Sequence, residues 1–307
     1  MTSNAPAVVL PFPGNEELAA EVAATLGTRR GTLALHRFPD EETGVRIADP
    51  VTGCDVVLVC TLDRPDSKLV ALYLAALTAR ELGARRVFLV APYLPYLRQD
   101  SRFHPGEGTS AVHVGHWLSG FLDGVVTAEP HLHRIQRLDQ IFRVPARTVG
   151  AAGPIARWIR ENVAKPVLVG SEGDRQAWIA GIAQALSCPH FMFNRLRHGD
   201  RDVELRLPTV AAQQERTPVL LDGIVSSGRT MIAAVELLRA SGFSPPVCIA
   251  VHPLFSPEVC EQVLSVGARE VVTCNTVRHI SNGIDLHRAL ALEARALLEQ
   301  HPPAEAA

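Results

Sequence analysis

Pro218-Val-Leu-Leu-Asp-Gly-Ile-Val-Ser-Ser-Gly-Arg-Thr230 decides how the rest of the chain is read. An apolar run ends in Asp222, a turn follows that holds Ser226, Ser227, Gly228 and Thr230, and a helical pattern begins at once. That order is strand, turn, helix. Backbone N–H groups at a helix N-terminus, with hydroxyls beside them, form a cradle for a phosphate. A carboxylate at the strand end accepts hydrogen bonds from sugar hydroxyls or holds a metal. The same letters also spell an ordinary strand–turn–helix with a serine cap. The segment is not a Walker loop, since G-x-x-x-x-G-K-[ST] is absent and the stretch holds no Lys.

On either side the same grammar repeats. Short Val/Leu/Ile-rich runs predict strands at 7–10, 32–36, 55–60, 86–91 and 124–128, then at 166–170, 190–193, 203–207, 218–222, 247–251 and 270–274. Runs so uniformly apolar belong in sheets covered on both faces. Helical patterns fall between them at 16–26, 67–82, 110–122, 155–163, 175–186, 229–240 and 257–266. Strand–helix alternation repeated in two series predicts an α/β protein with two domains, each a mostly parallel sheet flanked by helices. The break is expected near Val149-Gly-Ala-Ala-Gly153, giving domains at 1–149 and 150–285, with a helix and frayed tail over 286–307. Ligands in such sheets bind at the carboxyl ends of the strands.

Bulk properties narrow the partners. The 307 residues are 47% hydrophobic and 20% charged, with a net charge of −2. Binding to nucleic acid needs an excess of Lys and Arg on one face, so that partner is not expected. The six cysteines form no Cys-x-x-Cys pair, and several lie inside apolar runs, as buried thiols of a reducing compartment do. The N-terminal stretch has neither the charged start nor the long apolar core of a signal peptide. No apolar stretch is long enough to span a bilayer. A cytoplasmic protein without membrane contact is the expectation.

The motifs carry a resemblance. The 218–230 segment is similar to the ribose-5-phosphate loop of phosphoribosyl-type proteins, whose strand ends in two acids before an Asp/Ser-Thr/Ser-Gly-x-Thr turn. Asp222 matches the first acid, Gly223 replaces the second, and Ser226, Ser227, Gly228 and Thr230 match the turn. Arg37-Phe-Pro-Asp-Glu-Glu42 resembles the Arg-Phe-Pro-Asp-Gly-Glu element of ribose-phosphate diphosphokinases, which implies adenine contacts by Phe38, Asp40 and Glu42, often across a subunit boundary. Tyr96-Leu-Arg-Gln-Asp100 resembles that family's ATP loop and implies nucleotide ligation by Arg98, Gln99 and Asp100; the following Arg102-Phe-His-Pro-Gly-Glu-Gly108 looks like the archaeal-type branch. Glu129-Pro-His-Leu-His133 matches the element whose His, here His131, serves the ATP–magnesium site.

Three positions depart from the family. Asn194-Arg-Leu-Arg197 and the following stretch to Glu204 resemble the catalytic flexible loop, with Arg195 where a Lys is expected and Arg197 at the matching Arg. Arg keeps the charge but is planar and differently hydrated, so the exchange is not conservative at a site of charge transfer. Ser171-Glu172 replaces a Pro-Asp pair, leaving Glu172 as the candidate for a water-mediated magnesium contact. Gly223 is the third. The resemblance covers roughly residues 8–285 and implies two similar phosphoribosyltransferase-like domains, with the ATP side in the first and ribose 5-phosphate in the second. It implies diphosphoryl transfer from Mg-ATP to O1 of ribose 5-phosphate, in a homo-oligomer. The departures leave a second expectation, a non-catalytic paralogue acting as a nucleotide- or sugar-phosphate-binding regulatory subunit. A related phosphoribosyltransferase is the third.

Overall fold

The computed structural model describes residues 6–102, 104–173, 175–197, 203–207 and 213–300. The chain divides into two compact units, residues 1–149 together with 287–307, and residues 150–286.

The first unit is built on β1 (Ala7–Pro11), α1 (Glu16–Leu26), β2 (Arg29–Arg30), β3 (Leu33–Arg37), β4 (Thr43–Ile47), β5 (Asp55–Val59), α2 (Pro65–Glu81), β6 (Arg86–Ala91), α3 (Ser110–Ser119), β7 (Gly124–Ala128) and β8 (Ala146–Val149). Six of these strands form one sheet in the order β2-β1-β5-β6-β7-β8, parallel at every pairing. Every residue of β5 and of β7 is buried, which is why these strands read as unbroken apolar runs. The exception in β5 is Asp55, whose carboxylate is met by two arginines, as described below.

Here the structure corrects the expected strand at 32–36. It does not join the parallel sheet. As β3 it pairs antiparallel with β4, a strand the sequence reading missed, in a separate two-stranded hairpin. Thr43-Gly-Val-Arg-Ile47 mixes glycine and arginine with its apolar residues, so it lacks the uniform apolar signature of the parallel strands.

The second unit comprises α4 (Ala152–Asn162), β9 (Pro166–Ser171), α5 (Gln176–Leu186), β10 (His190–Arg197), β11 (Val203–Arg206), β12 (Thr217–Val225), α6 (Arg229–Ala240), β13 (Val247–Pro253), α7 (Pro257–Ser265), β14 (Glu270–Cys274) and β15 (Asn282–Ile284). Its seven strands run β11-β10-β9-β12-β13-β14-β15. Only the β10–β11 pairing is antiparallel among them. The strand expected to stop at Asp222 continues to Val225, because Ile224 and Val225 go on pairing with His252 and Pro253. Asp222 therefore lies within the last part of the strand and not at its tip.

The closing helix α8 (His287–Gln300) packs on the first unit. It buries Leu290, Ala291, Ala294 and Leu297 against α1, β7 and β8. Ion pairs from Arg147 to Glu293 and from Arg288 to Glu21 flank that apolar seam. No helix among the described residues is long and apolar enough to cross a membrane.

Candidate active site

In the first unit, the loops after neighbouring parallel strands carry the candidate residues. β6 and β7 pair Ala91 with Thr127, so the segments that leave them emerge at the same edge of the sheet. The first carries Arg98, Gln99 and Asp100; the second carries His131. One clamp joins the two segments. The Asp100 carboxylate accepts a hydrogen bond from the Arg134 backbone N–H at 2.8 Å and another from the Arg134 guanidinium at 3.1 Å, and His133 Nδ1 stands 3.7 Å away. Burial by itself would raise this carboxyl, but the Arg134 hydrogen bonds and the nearby cationic groups outweigh it and hold it below the usual range. Asp100, expected as a nucleotide ligand, is placed as the anchor that fixes one loop to the other. His133, read as a neighbour of His131, contributes to that anchor.

Arg98 and Gln99 remain exposed, and the Gln99 side-chain carbonyl accepts from Ser110 Oγ at the start of α3. Tyr96, at φ 65°, donates its hydroxyl to Asp66 in the first turn of α2. That bond, with burial added, pushes the phenol up to about 12. The loop is thus pinned at Tyr96, Gln99 and Asp100, and Arg98 projects from a braced segment. A preorganised arginine suits phosphate, whose oxygens it grips in pairs.

Phe38, Asp40 and Glu42 occupy the tip of the β3–β4 hairpin. Phe38 N–H donates to Glu42 O at 2.8 Å and Glu41 N–H donates to Phe38 O at 2.9 Å, closing a tight turn. Phe38 is 46% exposed, with His36 edge-on at 4.6 Å and Asp40 accepting from Glu42 N–H at 3.3 Å. An exposed aromatic ring on a braced turn is a stacking surface for a base.

In the second unit the phosphate turn follows β12. Ser226 and Ser227 are exposed, Gly228 is buried and Thr230 is half-buried. Gly228 caps α6 with φ 71°. A Cβ there would lie 2.3 Å from Val259 Cγ1, so both its backbone angle and α7 packing require glycine. The first-turn N–H groups of α6 have no intrahelical acceptors and point out of the helix end that Gly228 caps. Asp222 Oδ1 accepts from the Ile224 N–H at 3.3 Å. Beside it, paired with Ile224, His252 is buried and its Nδ1 meets Thr276 Oγ1 at 2.9 Å. Thr276 in turn donates to Val251 O at 2.7 Å.

One residue at this end was missed altogether. Arg175 places its guanidinium against Gly223, where a Cβ would come within 2.3 Å of Nη2. The signal in the sequence was the glycine itself: a missing side chain leaves room for another.

Glu172 is exposed on the loop after β9, and His131 is half-buried. They belong to different units. Among the described residues no three His, Cys, Asp or Glu side chains are grouped to hold a metal ion. A magnesium ion held by one or two carboxylates together with substrate phosphates needs no such group. Arg195 and Arg197 lie on β10, opposite Leu205 and Val203 of β11; their side chains, and the expected flexible loop at 198–202, fall outside the described residues.

Two parallel α/β units, each with its candidate ligand turns at the carboxyl edge of the sheet, define a tandem protein of phosphoribosyltransferase-like architecture. The comparisons carry this further. The profile of the N-terminal domain of ribose phosphate pyrophosphokinase matches residues 7–120. The chain is 27% identical over 296 residues to a ribose-phosphate pyrophosphokinase of Methanobrevibacter smithii, covering 92% of this chain and 98% of that one. It is 29% identical over 288 residues to the protein of that name from Halobacterium salinarum, covering 92% and 99%. The crystal structure of phosphoribosylpyrophosphate synthetase from Mycobacterium smegmatis superposes with a TM-score of 0.83 at 23% identity, over 96% of this chain and 99% of that one, which shows the shared fold. The chain is a homologue of the ribose-phosphate pyrophosphokinases.

Proposed function

We propose that the chain is a ribose-phosphate diphosphokinase. O1 of ribose 5-phosphate attacks the β-phosphorus of ATP, the bond from that phosphorus to the oxygen bridging the α-phosphate breaks, AMP leaves, and the O1 proton passes to solvent. The similarity to enzymes of that name spans both units, and the observation that carries the reading is the phosphate turn at Ser226–Thr230 with Asp222 three positions before the strand's end.

Phosphoryl transfer asks the protein mainly for positioning and charge stabilisation. The turn residues Ser226, Ser227, Gly228 and Thr230 hold the 5-phosphate, and Asp222 receives sugar hydroxyls. Arg98, Gln99 and His131 hold the triphosphate, with Asp100 fixing the loop. Phe38, Asp40 and Glu42 receive the adenine, in an oligomer where the hairpin serves a neighbouring copy. Arg195 and Arg197 steady the moving diphosphoryl group. Magnesium enters with its substrate, as Mg-ATP.

Appearance of AMP from Mg-ATP that depends on ribose 5-phosphate tests the reaction, with Arg197→Ala and Arg98→Ala expected to lower it at least tenfold each. Absence of such AMP sinks it. One observation favours a second reading: a guanidinium stands against Gly223 where the family carries an acid. On that reading the chain binds ATP or ribose 5-phosphate without turnover, as a regulatory subunit, and calorimetry would register binding where the AMP assay is silent.

A further inference from the structure

Arg175 has no role in the reaction as drawn, yet its position is closely specified. A Cβ at Gly223 would lie 2.3 Å from its Nη2, 2.5 Å from Cζ and 2.8 Å from Nε. All three atoms crowd one backbone position, so the planar guanidinium lies along the strand in the volume that a side chain at 223 would fill. The Trp178 ring lies 5.2 Å from the same Cζ, a distance at which an indole face attracts a cation. Arg175 is the residue that caps the start of α5, and Gly223 lies in the last stretch of β12. These contacts hold the guanidinium against the strand.

Its location relative to the phosphate turn gives it a use. Ser226 opens that turn three residues beyond Gly223, about 10 Å along an extended strand. A phosphosugar with its 5-phosphate in the turn extends over a comparable length. Its far end carries an uncharged hydroxyl in ribose 5-phosphate, and a diphosphate in phosphoribosyl diphosphate. A guanidinium discriminates strongly between these, because it binds phosphate oxygens through paired, charge-assisted hydrogen bonds. Gly223 contributes no carboxylate to a divalent cation at this position, and a guanidinium occupies the place of its side chain.

We propose that Arg175 is a specificity-determining cation of the sugar-phosphate site, which binds the distal anionic group of a doubly phosphorylated phosphosugar without a divalent metal, and that Gly223 is there to admit it. The inference rests on the sugar-phosphate reading of the Ser226–Thr230 turn. It does not require turnover.

The test is calorimetric titration of the whole chain with ribose 5-phosphate and with phosphoribosyl diphosphate, each in magnesium and in EDTA. The parent is expected to bind the diphosphate at least about tenfold more tightly than ribose 5-phosphate in EDTA, the worth of a charge-assisted pair. Arg175→Ala removes that preference while ribose 5-phosphate affinity changes little. Gly223→Ala does the same by a different route, because its methyl displaces the guanidinium. Arg175→Gln, which can keep its seat over Trp178, replaces Arg175→Ala should thermal melting show the latter misfolded. A preference that appears only with magnesium, or one that survives in both Arg175→Gln and Gly223→Ala, overturns the proposal. A parent that binds neither sugar overturns it together with the sugar-phosphate reading. A parent that binds both with the expected preference, but forms no AMP, upholds it and removes the proposed reaction alone.

Discussion

Glu41 has a left-handed backbone, φ 74°, at the tip of the hairpin that presents Phe38. A side chain in that region of backbone crowds the following carbonyl. The cost for an ordinary residue is about 1–2 kcal/mol. The Arg37–Glu41 ion pair at 3.2 Å returns little, since both side chains are largely exposed. Glu41→Gly is therefore expected to raise stability by about 1 kcal/mol, measured as a shift in the denaturation midpoint. A loss of stability would mean that the ion pair outweighs the backbone strain. At this scale the sequence was readable wherever a motif was local. Phe38, Asp40 and Glu42 do share one turn, and Ser226 to Thr230 do cap one helix. Gly223 marked room for another side chain, but nothing in the order of residues says that the loop carrying Arg175 fills it.

Between elements, the most concentrated interaction lies away from the candidate site, at the opposite end of the first sheet. Asp55 opens β5, and both of its oxygens are engaged by Arg85 and Arg86, at 2.6 to 3.0 Å. Arg86 also donates to Leu298 O at 3.3 Å, joining α8 to β6. Burial would raise the Asp55 carboxyl, but the hydrogen bonds and charges of Arg86 and Arg85 prevail and lower it from 3.8. A carboxyl lowered on folding contributes stability that is whole above its unfolded value and is lost as pH falls through the folded one. Acid unfolding is thus expected to steepen below pH 3.8, and Asp55→Asn to flatten that limb. At neutral pH the same variant should cost about 3–5 kcal/mol, because two arginines are left facing a neutral amide. An unchanged acid limb in Asp55→Asn would exclude this account. The fully buried strands were legible because burial on both faces leaves an apolar run. The hairpin was not, since half-exposed strands mix their residues, and neither was the triad, in which the start of β5 meets the two arginines that lead into β6.

For the whole molecule, the discontinuous first unit matters most. Its sheet is covered partly by α8, which supplies Leu290, Ala291, Ala294 and Leu297 to the seam with α1. Residues 150–286, a continuous segment, hold a complete seven-stranded sheet. Expressed alone, 150–286 is expected to melt cooperatively, whereas 1–149 should melt at lower temperature or aggregate until a 287–300 peptide is supplied. Equal stability of 1–149 with and without that peptide would contradict the assignment.

The same arrangement dictates an order of events at the ribosome. The unit whose synthesis starts first must keep the α1 face uncovered while the whole of the second unit is made, and it closes only when the last helix emerges. The first unit to begin is the last to finish. A chain cut short at residue 286 and released would therefore display a finished second unit and an open first unit, and chaperone binding should concentrate on the older half of the chain.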